Sequence, residues 1–196
     1  HVADGAPESD TRLPRSAWFP ILASAATAGA GLGTFVVSGA WLDDEFGVST
    51  GGLGLVAAGF GAIELASSVS VATIGDRVGS RRSLLIGLGG LVTGIAAMAA
   101  SGDSRTFAIV ALMVFFAGFE FAFVSSLTLV TEAAPLARGR AIGISNACGT
   151  ITRASAVFAS GQLYEAFGIS GSITLAACIA VAAFGLTLAA SPYTGS

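Results

Sequence analysis

Three ionisable residues stand inside long apolar runs of this chain: Glu64, Glu120 and Arg153. At 1.5 Å of rise per helical residue, each lies roughly 20 Å from the nearest polar stretch. An Asp, Lys or Arg at the centre of a membrane helix costs about 2.5–3.5 kcal/mol to insert, so such groups are kept where they face a partner, a water-filled cavity or both. Two acids and one base leave a carboxylate over. If Arg153 pairs with one glutamate, the other stays solvated or takes up a proton, which is the chemistry of a proton carrier. A fixed ion pair with the second glutamate bonded to nearby hydroxyls is the structural alternative from the same residues.

The neighbouring sequence favours a cavity. Asn146, Thr150, Arg153 and Ser160 recur at helical spacing and form one stripe. Glu64, Ser67 and Ser68 share a face with Gly61, and Glu120 stands above Val124 and Thr128. Phe115, Phe116, Phe119, Phe121 and Phe123 surround Glu120 and read as packing or lipid contacts rather than a substrate box. Other chemistry is poorly supplied. The only histidine is His1, which removes imidazole catalysis, histidine metal ligation and the Ser-His dyad of an intramembrane protease. Cys148 and Cys178 fall within apolar runs and read as small buried residues. The expectation is a protein that is not an enzyme, with no cofactor, no metal and no nucleic-acid partner.

The elements that must position these residues are membrane helices. The chain is 54% hydrophobic and 11% charged, against about 25% charged for a soluble domain. Six apolar segments, at about 17–42, 51–74, 83–101, 106–131, 140–163 and 170–190, are each long enough to cross a hydrocarbon core about 30 Å thick. The third and sixth carry no charge. This predicts an all-α integral membrane bundle over 17–191, preceded by a cytoplasmic linker at 1–16 and followed by a tail at 192–196. The connections are too short to hold a soluble domain. The polar, acidic opening contains no signal peptide and reads as a cut within a longer protein. An even number of crossings puts both termini on one side with Arg12, Arg15, Arg77, Arg81, Arg82, Arg138 and Arg140, leaving Arg105 opposite. By the positive-inside rule that side is the cytoplasm.

The densest of these arginine clusters lies in Gly75-Asp76-Arg77-Val78-Gly79-Ser80-Arg81-Arg82, read as a tight hairpin between the second and third helices. Asp76 can accept hydrogen bonds from a nearby helix N-terminus, and Gly79 can take the positive φ of a tight turn. Arg77, Arg81 and Arg82 can reach lipid phosphates or acidic groups on adjacent helices. The order Asp76, Arg77, Gly79, Arg81 resembles the cytoplasmic motif of the major facilitator superfamily, approximately Gly-x-x-x-Asp-Arg-x-Gly-Arg-Arg. Ala72 replaces the leading Gly, and Ser80 interrupts the basic pair. Pro135 to Ala141 is similar to the family's loop between the fourth and fifth helices of a half, and Gly161 to Gly168 to the exit of its fifth helix.

The resemblance covers nearly all of the chain after residue 16 and implies one half of a twelve-helix transporter. The weaker motif copy and the absence of proline from the fifth helix fit the second half. Gly118 to Pro135 resembles the sugar- and drug-efflux permease branch. The implied partners are a missing N-terminal half, membrane lipid, a small organic solute and protons, in the plasma membrane. The implied mechanism is alternating access with proton-coupled efflux, with Asp76, Arg77, Gly79, Arg81 and Arg82 as the gating motif. The family's first, second, fourth and fifth helices line the cavity, which gives Glu64, Glu120, Arg153, Asn146 and Thr150 to substrate or protons. A non-transporting or dimerising six-helix membrane protein is the rival expectation.

Overall fold

A computed structural model describes residues 13–190, except for the side chains at 72 and 74–76. Residues 1–12 of the expected linker at 1–16, the expected tail at 192–196 and the Asp76 side chain fall outside the described residues. A short 3-10 turn at Arg15–Ala17 leads into six α-helices: α1 (Trp18–Phe46), α2 (Thr50–Val78), α3 (Ser80–Ala99), α4 (Arg105–Ala133), α5 (Arg138–Phe167) and α6 (Ile169–Ala189). No strand occurs among the described residues.

The helices run past the ends of their apolar segments, because a helix's hydrogen-bond ladder does not stop where its apolar side chains do. Asp43, Asp44 and Glu45 form the last turn of α1 rather than a loop. The hairpin expected from Gly75 to Arg82 is likewise two helices joined by Gly79 alone. Gly79 has φ 86° and ψ 144°, a conformation closed to residues with a Cβ, and it reverses the chain in a single residue. Gly168 does the same between α5 and α6, with φ 63° and ψ −156°.

Five of the helices are long and apolar enough to cross a membrane. The exception is α5, which is 30 residues long but carries Arg138, Arg140, Arg153 and Glu165 among its hydroxyls and glycines. Length alone would carry it across. Its polarity is affordable only where it is shielded from lipid.

Apolar helices gain little from leaving lipid for one another, so their association rests on close packing. The tightest contact joins α3 and α4. A Cβ added at Gly118 would lie 2.2 Å from the backbone nitrogen of Leu91 and 2.4 Å from the carbonyl carbon of Gly90. One at Gly87 would meet the Ala122 nitrogen at 2.4 Å, and one at Gly94 the Phe115 Cα at 2.4 Å. Over about two turns the two backbones touch directly. The centre of the bundle is α1, packed on α4, α5 and α6. Its buried face is made of small residues, among them Ala23, Ser24, Thr27, Gly29 and Gly33. Thr27 and Thr34 return their hydroxyls to the carbonyls of Ala23 and Ala30, so their polarity is satisfied within the helix. Gly29 and Gly33 abut Thr152 and Ala156 of α5. Gly139 and Gly143, four residues apart like Gly29 and Gly33, instead meet nothing within 4 Å and face outward near the start of α5.

Side chains staple the two ends. At the arginine-rich end, Arg81 donates through Nε to the Thr187 carbonyl (3.1 Å) and through Nη2 to that of Leu188 (2.6 Å). These are among the last carbonyls of α6, unpaired within the helix and at its negative pole, so a guanidinium suits them. Ser80 donates to the Glu132 carboxylate at the end of α4. At the opposite end the Tyr164 hydroxyl donates to Asp44 Oδ2 (2.9 Å), tying α5 to α1, and Trp41 Nε1 donates to Glu45 Oε2 (2.9 Å).

The α3–α4 contact yields a stability test. Gly118→Ala drives a methyl group into backbone that cannot yield without parting the helices, a cost of about 1–3 kcal/mol. A clear fall in the melting temperature of the detergent-purified protein is expected. Gly185→Ala on α6, where a Cβ meets nothing within 4 Å, should melt with the parent. Equal melting of the two variants would refute the direct α3–α4 backbone contact.

Candidate functional site

The chain alternates in direction, so α2 and α4 run parallel, both from the acid-rich end toward the arginine-rich end. Their register is set by Phe60 and Phe116, whose ring centroids lie 4.1 Å apart. Phe35 of α1 closes a three-ring cluster, 5.9 Å from Phe60 and 5.7 Å from Phe116. Beyond it the chain of rings continues along α4 through Phe119 to Phe123. Phe119 lies over Gly31 of α1, where a Cβ would come within 2.2 Å of the ring.

One helical turn further along each helix stand the two glutamates. Phe60 precedes Glu64 by four residues, and Phe116 precedes Glu120 by four. Positions four apart lie on one face of a helix. Parallel helices registered at the phenylalanines therefore bring the glutamates to the same level, and their carboxylates are close enough to interact electrostatically. Glu64 is exposed and Glu120 half-buried. Gly61 and Ser68 share the open face of α2, whereas Ser67 is buried.

The structure thus brings together two of the expected residues and separates the third. Arg153 Nη2 donates to Thr150 Oγ1 at 3.2 Å, and Thr150 donates to the Asn146 carbonyl at 2.9 Å. Asn146, Thr150 and Arg153 do form one stripe on α5. Among the described residues no carboxylate lies within ion-pair distance of Arg153, so of the arrangements these residues allow, the Arg153–Glu pair does not occur here. The reason is topological: α5 packs on α1, α6 and α4, while Glu64 stands on the open face of α2. Ser160, placed on the same stripe by its spacing, is instead buried against α6, where its carbonyl accepts from Ser172. A straight helix drifts about 20° per heptad, and two heptads from Asn146 rotate Ser160 off the open face.

The phenylalanines divide. Phe115 is fully buried in the core, whereas Phe116 and Phe119 turn toward α2 and α1. Sequence reasoning passed over Phe35 and Phe60. The signal that finds Phe60 is Phe-x-x-x-Glu, present once in α2 and once in α4. Of the residues expected to gate, Arg81 reaches backbone carbonyls of α6 rather than an acid, and Arg77 and Arg82 are exposed. No three acidic, histidine or cysteine side chains among the described residues come together as metal ligands.

The two acids thus stand level, one turn beyond an aromatic cluster, on the open side of a helical membrane bundle. A sequence profile described as the Major Facilitator Superfamily matches residues 21–195, most of the chain. No curated protein and no solved structure matches it at a significant level. Six helices in this order, five of them able to span a membrane, and a family match over nearly the full length place the chain in the major facilitator superfamily, a family of membrane transporters.

Proposed function

We propose that this multi-pass transporter moves a small organic solute by alternating access and couples its efflux to protons entering through Glu64 and Glu120. The observation that carries this reading is the Glu64–Glu120 pair, which has no basic partner among the described residues. Two carboxylates with no cation beside them can take up a proton where water is scarce. Such a pair can exchange that proton for a passing solute, whereas a glutamate locked to an arginine cannot. The site opens on the α2 side of the bundle, where Glu64, Leu65 and Val69 are exposed. An exposed carboxylate among apolar side chains at mid-helix is costly in lipid. We therefore read this face as turned toward a second six-helix half, with this chain as the C-terminal one. The distribution of arginines supports cytoplasmic termini and the plasma membrane as the setting. The efflux-permease branch rests on the resemblance of α4 and its exit.

Two outcomes test this in the full-length protein reconstituted in vesicles. Glu64→Gln and Glu120→Gln each remove one member of the pair. At least one should abolish substrate accumulation driven by a pH gradient while substrate-for-substrate exchange persists. Unchanged pH dependence in both would sink the proton-carrier assignment. Arg153→Gln, by contrast, should leave the pH midpoint of transport within about 0.3 unit, because no charge pair is broken (a shift of one unit corresponds to about 1.4 kcal/mol). A midpoint that moves by a full unit would restore Arg153 as the partner of a glutamate.

A further inference from the structure

A second cavity lies at the arginine-rich end, away from the glutamates. Its volume is about 1030 Å³, and it sits among the ends of α2, α4 and α6 and the starts of α1, α3 and α5. That is as large as the upper end of small-molecule sites, about 300–1,000 Å³, and far more than a few bridging waters fill. Its walls are of two kinds. Arg81, Arg82 and Arg138 supply the polar part together with a single acid, Glu132. Leu85, Leu129 and Leu188 supply an apolar part.

The charges are unevenly committed. Glu132 already accepts from Ser80. Arg81 spends Nε and Nη2 on α6, and a guanidinium has five N–H donors. Among the described residues, Arg82 and Arg138 have no hydrogen-bond or ion-pair partner. The two helices that carry these arginines, α3 and α5, also begin without a side-chain cap. The cavity therefore holds an excess of positive charge and of unused donors, arranged for an acceptor with several oxygens. Phosphate is the group that matches arginine forks.

The apolar walls say what the phosphate is attached to. A free phosphate gains nothing from leucines, whereas a phospholipid places its headgroup on the arginines and its first methylenes on Leu85, Leu129 and Leu188. The outer face beside the cavity is itself apolar and exposed, with Ile86 on α3 and Phe184 and Leu188 on α6. Basic pockets between membrane helices at the cytoplasmic side suit anionic headgroups. We propose that this cavity is a binding site for one anionic phospholipid, its phosphate held by Arg82 and Arg138 with Arg81 behind them. The site is separate from Glu64 and Glu120 and does not depend on the proton-coupling reading.

The test uses the full-length protein in nanodiscs of phosphatidylcholine doped with phosphatidylglycerol, with bound lipid counted by native mass spectrometry. The parent should retain one phosphatidylglycerol per chain against phosphatidylcholine competition. Arg82→Gln/Arg138→Gln should lose at least tenfold in retention while melting with the parent, because neither side chain has a structural partner. Arg81 is left intact so that the α6 cap survives. Glu132→Gln removes the one opposing charge, keeps an acceptor for Ser80, and should tighten retention severalfold, an effect a purely structural role would not give. A second arm measures binding of inorganic phosphate in neutral nanodiscs. Phosphate binding that the double variant abolishes, with no lipid preference, would overturn the lipid assignment and make the ligand a soluble phosphate. Equal lipid retention in the parent and the double variant would overturn the site altogether.

Discussion

The direct backbone contact of α3 with α4 fixes everything this bundle presents to a solute. Gly87, Gly90 and Gly94 on one helix and Gly118 on the other leave no side chain between the two backbones. An approach that close permits little rotation of α4 about its own axis. With Gly118 and Phe115 held against α3, the helical period turns Phe116 and Glu120 toward α2, and Phe119 toward α1. A single β-carbon at Gly118 would disturb the orientation of the acid two residues away. The site is thus built from behind, by glycines that touch neither the cavity nor each other in sequence.

On the front side the packing is thinner. The outer turns of α2 are the least covered in the bundle, and α2 joins α3 only through Gly79 and rests on α4 through aromatic side chains. Phe60 against Phe116 is the contact that decides where Glu64 sits. Offset or tilted aromatic pairs contribute about 0.5–1.5 kcal/mol beyond their burial. In a bilayer, with no hydrophobic drive between helices, such a contact carries more of the burden than in a soluble core. The two acids are brought level by identical four-residue offsets from the rings, so the aromatic pair and the acid pair are one construction repeated on parallel helices.

Much of this was legible in the sequence, and the exceptions have physical causes. Apolar length gave the six helices and their order, because membrane spans are set by bilayer thickness. It could not give their ends. Asp43 to Glu45 and Asp76 to Val78 continue helices whose apolar part has finished, since a backbone ladder is indifferent to side-chain polarity at the membrane surface. The buried ionisable residues stood out singly, but their pairing did not. Which of Glu64, Glu120 and Arg153 meet depends on helix neighbours, and the residue types alone leave the arrangements open. The repeated Phe-x-x-x-Glu held the right answer, and reading it required knowing that α2 and α4 are adjacent and parallel. Arg81 was read toward phosphates or acids. Its partners are carbonyls at the end of α6, groups that every helix exposes and no sequence pattern marks.

The two charged regions obey opposite rules. At the arginine-rich end two charged groups are tied to neutral ones: a guanidinium on the free carbonyls of α6 and a carboxylate on Ser80 lock α3 to its neighbours, while Arg82 and Arg138 stay open to the cavity. In the middle of the bundle the charges are left unneutralised. Arg153 settles on a hydroxyl one turn away, and Glu64 and Glu120 stand level on adjacent parallel helices. Stability alone would select the reverse, since an unpaired ion near the midplane costs more than one at the surface. Packing alone gives no reason for two acids at mid-helix without a basic partner among the described residues, and the proposed function rests on that observation.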